Sequence, residues 1–199
     1  MSFVNFQTCP PVLNADRKLS NKLRSEYINY RSRKQFLVGI SWTGGGRGPR
    51  IQEKSVDPTQ FLSLLTGHGS VRFVNLQYGN SSPQIHQWQS SGLDIIHDKR
   101  INPLKDMDSW LSQVQACDAV LSVANTTIHG AGGLNIPTLC LLSIYSDWRW
   151  LSDAKVTQSY WYPSVGIARQ SVDKSWSSAF SLVKTWFEED FPLPSGPIC

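Results

Sequence analysis

The feature that most constrains the fold is the regular alternation of short apolar segments with amphipathic segments from residue 36 onward. Short apolar runs bounded by turn residues are typical of strands buried on both faces of a sheet. Strands that alternate with helices indicate βαβ units and a parallel sheet covered by helices on both sides. The sequence therefore predicts a single α/β domain with a central parallel sheet. Its predicted strands are FLVGISW (36–42), VRFVNLQY (71–78), LDIIH (93–97), DAVLSV (118–123), PTLCLLS (137–143) and, at an edge, VGIARQ (165–170).

Capping residues and one-sided apolar patterns mark the intervening helices. Asp57 precedes Pro58 at the start of one helix, a favourable pair for an N-cap and a first helical position. Asp108 is predicted to cap a helix that ends near Ala116. We expect the first and fourth strands to lie near the centre of the sheet. The remaining helices are predicted at 82–91, 126–135 and 175–188.

Charge is unevenly distributed along the chain. The 199 residues carry 19 basic and 15 acidic side chains, a net charge of +4. Seven of the basic and two of the acidic residues lie within 1–35, so the remainder is nearly neutral. Because a nucleic-acid-binding face needs basic residues on the folded body, we expect no nucleic-acid partner. We divide the chain into a basic N-terminal arm or linker (1–35), a domain (36–190) and a C-terminal tail (191–199).

The sequence favours a cytoplasmic protein without a membrane span. No apolar run approaches the ~18 residues that a spanning helix needs. The first residues lack the basic start and apolar core of a signal peptide. The four cysteines are far apart, and none stands at zinc-ligand spacing, which fits a reducing compartment.

A glycine run follows the first predicted strand, where a phosphate-binding loop would stand. Pro49 takes the place of the third glycine in the dinucleotide fingerprint, and no G-K-[ST] of a Walker A loop is present. Two interpretations stay open for this segment. In the first, it is a basic loop that folds over a phosphate through Arg47, Arg50 and Lys54. In the second, it is a mobile surface loop.

Asn125, Thr126 and Thr127 directly follow the fourth predicted strand and open a short helix. Backbone N–H groups and the positive end of the helix favour a diphosphate there, and the hydroxyls add donors. The same residue types are ordinary helix caps, so an anion site and a plain cap are alternatives. The glycines of GAGG (130–133) each weaken a helix by roughly 1 kcal/mol, which predicts close packing on the sheet or on a ligand. His129 either contacts a ligand or is a buried histidine.

Two further motifs carry weaker signals. Asp106-Met107-Asp108 matches a D-x-D pattern that can hold Mn²⁺, but Asp108 is better placed as a helix cap, and we expect no metal. Asp147-Trp148-Arg149-Trp150 sets an arginine between two indoles, which suits a nucleobase, a sugar, a partner surface or a satellite core. No arrangement of a catalytic nucleophile is recognisable.

Taken in order, the motifs lVGISWtGG, FVNLQYG, ACDAVLSVaNTTiHGAGGLNIPTLCLL, DWRWL and WYPSVgiaRQ resemble a known family. They are similar to the C-terminal nucleotide-sugar-binding half of GT-B glycosyltransferases, in particular the bacterial tetratricopeptide-linked and heptosyltransferase-like members. The resemblance runs from about residue 11 to residue 187 and implies a Rossmann-like fold. It also implies a metal-independent transfer that needs no cofactor besides the nucleotide diphosphate sugar donor.

The resemblance assigns roles to particular residues. It implies that Asn125, Thr126 and Thr127 hold the diphosphate and that His129 lies near the ribose. Gly44 and Gly45 would lie beside the donor, and Gln77 and Tyr78 would border the base pocket. These residues form the candidate nucleotide-sugar site; catalytic residues are not assigned.

Two departures from the family keep several functions open. Ala124 stands where the family usually has an acidic residue, and the half that binds the acceptor is not part of this sequence. The chain is therefore a transferase domain that needs a separate acceptor domain or partner, or a degenerate module that binds nucleotides without catalysis. A third possibility is an interaction domain that uses its aromatic loop (144–164) and basic arm.

Overall fold

The structure, a computed structural model, describes residues 11–28, 35–46, 48–150 and 155–193. Within these ranges lie six strands, seven α-helices and a short 3₁₀ helix at Trp148–Trp150. The strands are β1 (Phe36–Ser41), β2 (Val71–Asn75), β3 (Ile95–Ile96), β4 (Ala119–Val123), β5 (Thr138–Leu142) and β6 (Val165–Arg169). The helices are α1 (Arg17–Tyr27), α2 (Pro49–Glu53), α3 (Pro58–Leu65), α4 (Ser82–Ser90), α5 (Met107–Gln115), α6 (Thr126–Gly133) and α7 (Ser177–Glu188).

The described strands form one parallel sheet in the order β3-β2-β1-β4-β5-β6. β1 and β4 are the two central strands, and their register pairs Val38 with Ala119 and Ser41 with Ser122. The predicted parallel α/β domain and its central strands are thereby confirmed. The chain runs outward from β1 through β2 to β3 and then returns to β4 beside β1. This junction is a topological switch point, where sheets of this kind open a crevice at the carboxyl ends of the strands.

Helices cover both faces of the sheet, and an apolar cluster lies between the sheet and the helices on each face. One cluster joins α3, α4 and α7 to the sheet through Phe61, Trp88 and Trp186. The other joins α1 and α5 through Leu23 and Trp110. Strands β1, β4 and β5 are buried along almost their whole length, which explains their continuous apolar sequences.

Parts of both predicted terminal segments pack on the domain. Residues 11–28 belong to the segment that we assigned to a basic arm, yet α1 is capped by Asp16 and buries Leu23 and Tyr27 against α5. Arg24 holds this helix in place by donating to the backbone O of Ala116 and to the carboxylate of Asp118. At the other end, Phe191 is buried in the α7 cluster. Gln35, Pro192 and Leu193 are also described, whereas 1–10, 29–34 and 194–199 lie outside the described ranges.

Two local predictions need correction. Asp106, not Asp108, caps α5, because its Oδ1 accepts from the N–H of Ser109 while Asp108 lies in the first turn. Within the segment that we described as a basic or mobile loop, Pro49–Glu53 forms the short helix α2. Arg50 lies exposed on that helix, and Arg47 lies outside the described residues. In the described part of the chain, no helix combines the length and apolarity required to cross a bilayer.

The glycines of α6 allow neighbouring elements to approach closely. A Cβ on Gly130 would lie 2.8 Å from the Trp110 ring, and one on Gly133 would lie 2.7 Å from Leu13. A Cβ on Gly132 would collide with Tyr162. Packing against α5, the N-terminal segment and a loop therefore accounts for these glycines without a ligand.

We predict that Gly130→Ala destabilises the protein, although alanine is the better helix former. The added methyl group would overpack the contact with Trp110, and such overpacking costs typically 1–3 kcal/mol. The melting temperature should fall by several degrees. Gly69→Ala is the matched control, because nothing lies within 4 Å of its Cβ position, and it should change stability little. Equal melting temperatures for the two variants would contradict the packing argument.

Candidate functional site

The carboxyl ends of β1, β2 and β4 are joined by a buried network of polar side chains. The Oε1 atom of Gln77 accepts from the Ser41 hydroxyl (2.9 Å) and from the N–H groups of Trp42 (3.1 Å) and Thr43 (2.9 Å). From the other side, Asn125 Nδ2 donates to Ser41 Oγ (2.7 Å) and to the backbone O of Thr43 (2.9 Å). Ser41 thus connects Gln77, after β2, to Asn125, after β4, at the switch point.

Asn125 also caps α6. Its Oδ1 accepts from the N–H of Thr127 at 2.8 Å and from the Ser122 hydroxyl at 3.3 Å. Both N–H bonds of the amide are already used within the protein, so this side chain fixes the turn and has no donor left for a ligand. The N-terminus of α6 is therefore held rigidly at the central crevice.

The two threonines after Asn125 differ in their surroundings. Thr126 is exposed at the first position of α6. Thr127 is fully buried, and its hydroxyl oxygen has no hydrogen-bond partner among the described residues. Buried hydroxyls normally have a partner, so this atom retains bonding capacity at the helix N-terminus.

Gly44, Gly45 and Tyr78 lie close to this network. The N–H of Gly44 donates to Ser55 Oγ at 2.9 Å, and a Cβ at Gly44 would lie 2.8 Å from the backbone O of Lys54. A Cβ at Gly45 would lie 3.4 Å from the Tyr78 hydroxyl. Gln77 Nε2 in turn donates to the backbone O of Tyr78. The structure thus brings together the predicted residues that follow β1, β2 and β4.

His129 faces a different neighbourhood from the other predicted site residues. Its Nδ1 lies 3.1 Å from the Tyr162 hydroxyl, and its ring centroid lies 6.0 Å from that of Trp150. Burial, and then the nearby charge of Arg149, lower the pKa of His129, which favours the neutral ring at pH 7. Within Asp147–Trp150, Trp150 belongs to this buried cluster, whereas Trp148 is 68% exposed.

A cavity of about 370 Å³ opens beside Gln77, between the segments that follow β2 and β3 and helix α5. Its size lies within the range of small-molecule sites. Besides Gln77 and Tyr78, the lining includes residues that our sequence analysis missed, among them His97, Asp98, Lys99, Asn102 and Gln113. The polar run HDKRIN (97–102) could have indicated the first four of them, because it begins where the third predicted strand ends, at the same edge of the sheet.

His97 is held as a neutral ring in this cavity. Its Nδ1 lies 3.0 Å from Asn75 Nδ2, and its Nε2 lies 3.0 Å from Ser82 Oγ. An amide nitrogen can only donate, so Nδ1 accepts and Nε2 carries the proton. Burial, and then the charge of Lys99, lower the pKa of His97 and favour the same neutral form.

The loop after β3 is fastened to α1 through Asp98. Tyr27 donates its hydroxyl hydrogen to Asp98 Oδ2 at 2.8 Å, and Gln113 Nε2 donates to the Tyr27 hydroxyl at 3.0 Å. Arg100 donates to both Asp98 and Glu26. Hydrogen bonds from Arg100 first, and also from Tyr27, lower the pKa of Asp98 to about 2. Helix α1 therefore orders one wall of the cavity.

The described residues contain no group of three or more His, Cys, Asp or Glu side chains that could hold a metal ion. Asp106 of the D-x-D pattern is occupied as a cap, with both of its oxygens bonded to Ser109. Its pKa is lowered by these bonds, the one to the Ser109 side chain first.

We predict that Asp98→Asn destabilises the protein in a pH-dependent manner. Because the folded-state pKa of Asp98 lies below the ordinary value of ~3.9, its stabilisation is complete above that pH and is lost as the pH falls toward 2. The difference in unfolding free energy between the native protein and Asp98→Asn should therefore be largest near pH 6 and shrink between about pH 4 and 2. Denaturant melts across this range measure it. A difference that is constant with pH would contradict the assigned role.

Solved structures provide comparisons for this fold. The ADP-heptose lps heptosyltransferase II of E. coli superposes with a TM-score of 0.62 and 12% identity, over 92% of this chain and 55% of that one. The family 9 glycosyl transferase of Veillonella parvula DSM 2008 superposes with a TM-score of 0.55 and 12% identity, over 91% and 48%. No protein-family model matches the chain. No curated protein sequence matches it either. The chain thus spans about half the length of these glycosyltransferases and shares the fold of that half.

Proposed function

We propose that this chain is the nucleotide-sugar-binding half of a metal-independent glycosyltransferase, and that a separate domain or partner supplies the acceptor site. The observation that carries the proposal is the position of the α6 N-terminus at the switch point. Its cap Asn125 is linked through Ser41, by two hydrogen bonds, to Gln77, which lines the cavity. Helix N-termini at such crevices bind phosphate groups, because their N–H groups and dipole favour negative charge.

In this proposal the diphosphate lies against the start of α6. Exposed Thr126 donates a hydrogen bond from its hydroxyl, and the bonding capacity of Thr127 supports an anion at the same turn. The fully used amide of Asn125 serves to hold the turn rather than to touch the ligand. Gly44 and Gly45 keep the loop after β1 free of side chains next to the donor.

The base and ribose occupy the cavity between β2, β3 and α5. Gln77 and Tyr78 form one side, and neutral His97, Asn102 and exposed Lys99 form the other. The protein already holds these polar groups in position, and a base that cannot pair with their remaining donors and acceptors would bind more weakly. His129 packs against Tyr162 and Trp150, apart from the other predicted site residues. It would lie near the ribose only if the ligand extended across α6.

A second function, nucleotide binding without catalysis, is favoured by Ala124. Its half-buried methyl group packs against the cluster of Ile128 and Trp150, at the turn where a carboxylate would face the donor. Neither neighbour of Asn125 in the sequence, Ala124 or Thr126, has a carboxylate that could orient a sugar or a water molecule.

We predict that Thr126→Ala weakens nucleotide-sugar binding roughly tenfold without lowering the melting temperature. The variant removes one hydrogen bond to a charged group, worth about 1.5–3 kcal/mol, from an exposed position. Thermal shifts and calorimetric titrations with UDP-, GDP-, ADP- and CMP-sugars measure the effect, since a ligand of the native state raises stability by mass action. Chelator should leave the affinity unchanged.

Thr59→Ala is the control for this experiment, because it removes an equally exposed threonine from the first turn of α3, on another part of the chain. It should bind like the unmodified protein. If no nucleotide diphosphate sugar binds at millimolar concentration, the proposed function is wrong.

Ala124→Asp separates the two functions. In a latent transferase, the new carboxylate beside Asn125 should produce measurable hydrolysis of the donor that binds, detected by release of free nucleotide diphosphate. Ala124→Asn, of nearly the same size but uncharged, should not. Unchanged hydrolysis in both variants, with donor binding retained, would favour the binding module.

A further inference from the structure

A second groove opens at the same edge of the sheet, on the face opposite the cavity. It encloses about 930 Å³ between helices α2 and α3 and the segments that follow β5 and β6. Its apolar base belongs to the cluster of α3 and α7, whereas Trp110 beside the cavity belongs to the cluster of α1 and α5. The groove therefore shares no described lining residue with the cavity proposed above for the base and ribose, and its Ser55 accepts a hydrogen bond from Gly44.

The walls of the groove are braced against each other. Ser143, which follows β5, donates to the backbone O of Glu53 in α2 at 2.6 Å. Gln170, which follows β6, accepts from the N–H of Ile144 at 3.3 Å and donates to the backbone O of Lys174 at 2.8 Å. Three chain segments that are distant in sequence are thus held in fixed relative positions, as a preformed binding site requires.

Aromatic rings form part of the lining. Trp176 and Phe180 are nearly parallel, with ring centroids 6.2 Å apart and an angle of 9°. Tyr145 lies on the β5 side and is 39% exposed. An exposed ring at a concave surface is suited to contact the apolar face of a ligand.

Lys174 adopts a strained backbone at the rim of the groove. Its φ of 66° lies in the left-handed region, which non-glycine residues rarely adopt. This conformation places its ammonium group 5.4 Å from the centroid of the Tyr145 ring. The hydrogen bond to Tyr145 first, and also the charge of Glu53, raise the pKa of Lys174. A strained lysine that is fixed beside an exposed ring indicates a site that is kept in one geometry.

The charges of the lining select against an anionic ligand. Among the described residues, the charged side chains of the lining are Glu53, Asp57 and Lys174, so this part of the groove carries one more negative than positive charge. The other polar side chains include the amides of Gln52 and Gln60, since the Gln170 amide is bonded within the protein. Carboxylates and amides accept and donate hydrogen bonds to hydroxyl groups, while the rings contact C–H surfaces. A neutral pyranose combines an apolar face with a rim of hydroxyls and matches this chemistry.

We propose that the groove binds a neutral sugar unit, packed against Tyr145 and hydrogen-bonded by the surrounding carboxylates and amides. The binding does not depend on the nucleotide site. In a transferase, the groove would serve as the subsite for the sugar of the acceptor, and this role alone rests on the proposed function.

The test uses the full 199-residue chain and methyl pyranosides of glucose, galactose, mannose and N-acetylglucosamine as probes. Saturation-transfer NMR should detect saturable binding of at least one pyranoside below 50 mM. Tyr145→Ala should weaken that binding about tenfold, and Tyr145→Phe, which keeps the ring, by no more than about threefold. Trp148→Ala removes a more exposed aromatic side chain outside the groove lining and should have no effect.

The methyl pyranosides carry no nucleotide and no phosphate, so failure of the nucleotide proposal does not affect this result. Two further probes test the chemistry of the ligand. Glucose 6-phosphate and a neutral serine-containing peptide should bind more weakly than the best pyranoside. The inference is overturned if no pyranoside saturates, if Trp148→Ala lowers binding as much as Tyr145→Ala, or if the phosphorylated sugar or the peptide binds best.

Discussion

The rest of the structure depends on the hydrogen bonds of the Asn125 side chain. This amide joins β1 to the start of α6, and through Ser41 it reaches Gln77 at the end of β2. Each of these groups is buried, so breaking one bond would leave a partner without water or protein to replace it. The three central carboxyl ends therefore keep one arrangement, and the crevice between them is set before any ligand arrives.

Fixed polar groups divide the edge of the sheet into separate regions. On one face, α1 holds the loop after β3 through Tyr27, Asp98 and Arg100, and this loop closes the cavity beside Gln77. On the other face, Ser143 and Gln170 brace the wider groove.

Most polar groups that the structure places at the crevice are uncharged. His97 and His129 are kept neutral by burial and by neighbouring cations, the Asn125 amide is bonded within the protein, and Ala124 contributes only a methyl group. Asp98 and Lys99 are the charged side chains among the described residues of the cavity lining. Under the proposed function, N–H and hydroxyl groups at the start of α6 would hold the diphosphate. Neither neighbour of Asn125 in the sequence is an acid, so the proposed transfer depends on a second domain or partner.

The sequence by itself determined the sheet, its central strands and the segments that meet at its carboxyl edge. These features follow from local patterns: continuous apolar runs such as 118–123, the Asp57 cap, and Asn125 immediately after a buried strand. Only the tertiary structure decided which polar groups meet. Tyr27 and Asp98 are 71 residues apart, and Asn125 and Ser41 are 84 apart, so no local pattern predicts their bonds. The same limit explains why α1 was assigned to an arm and why His97 was missed: both acquire their roles from partners that the chain brings together only on folding.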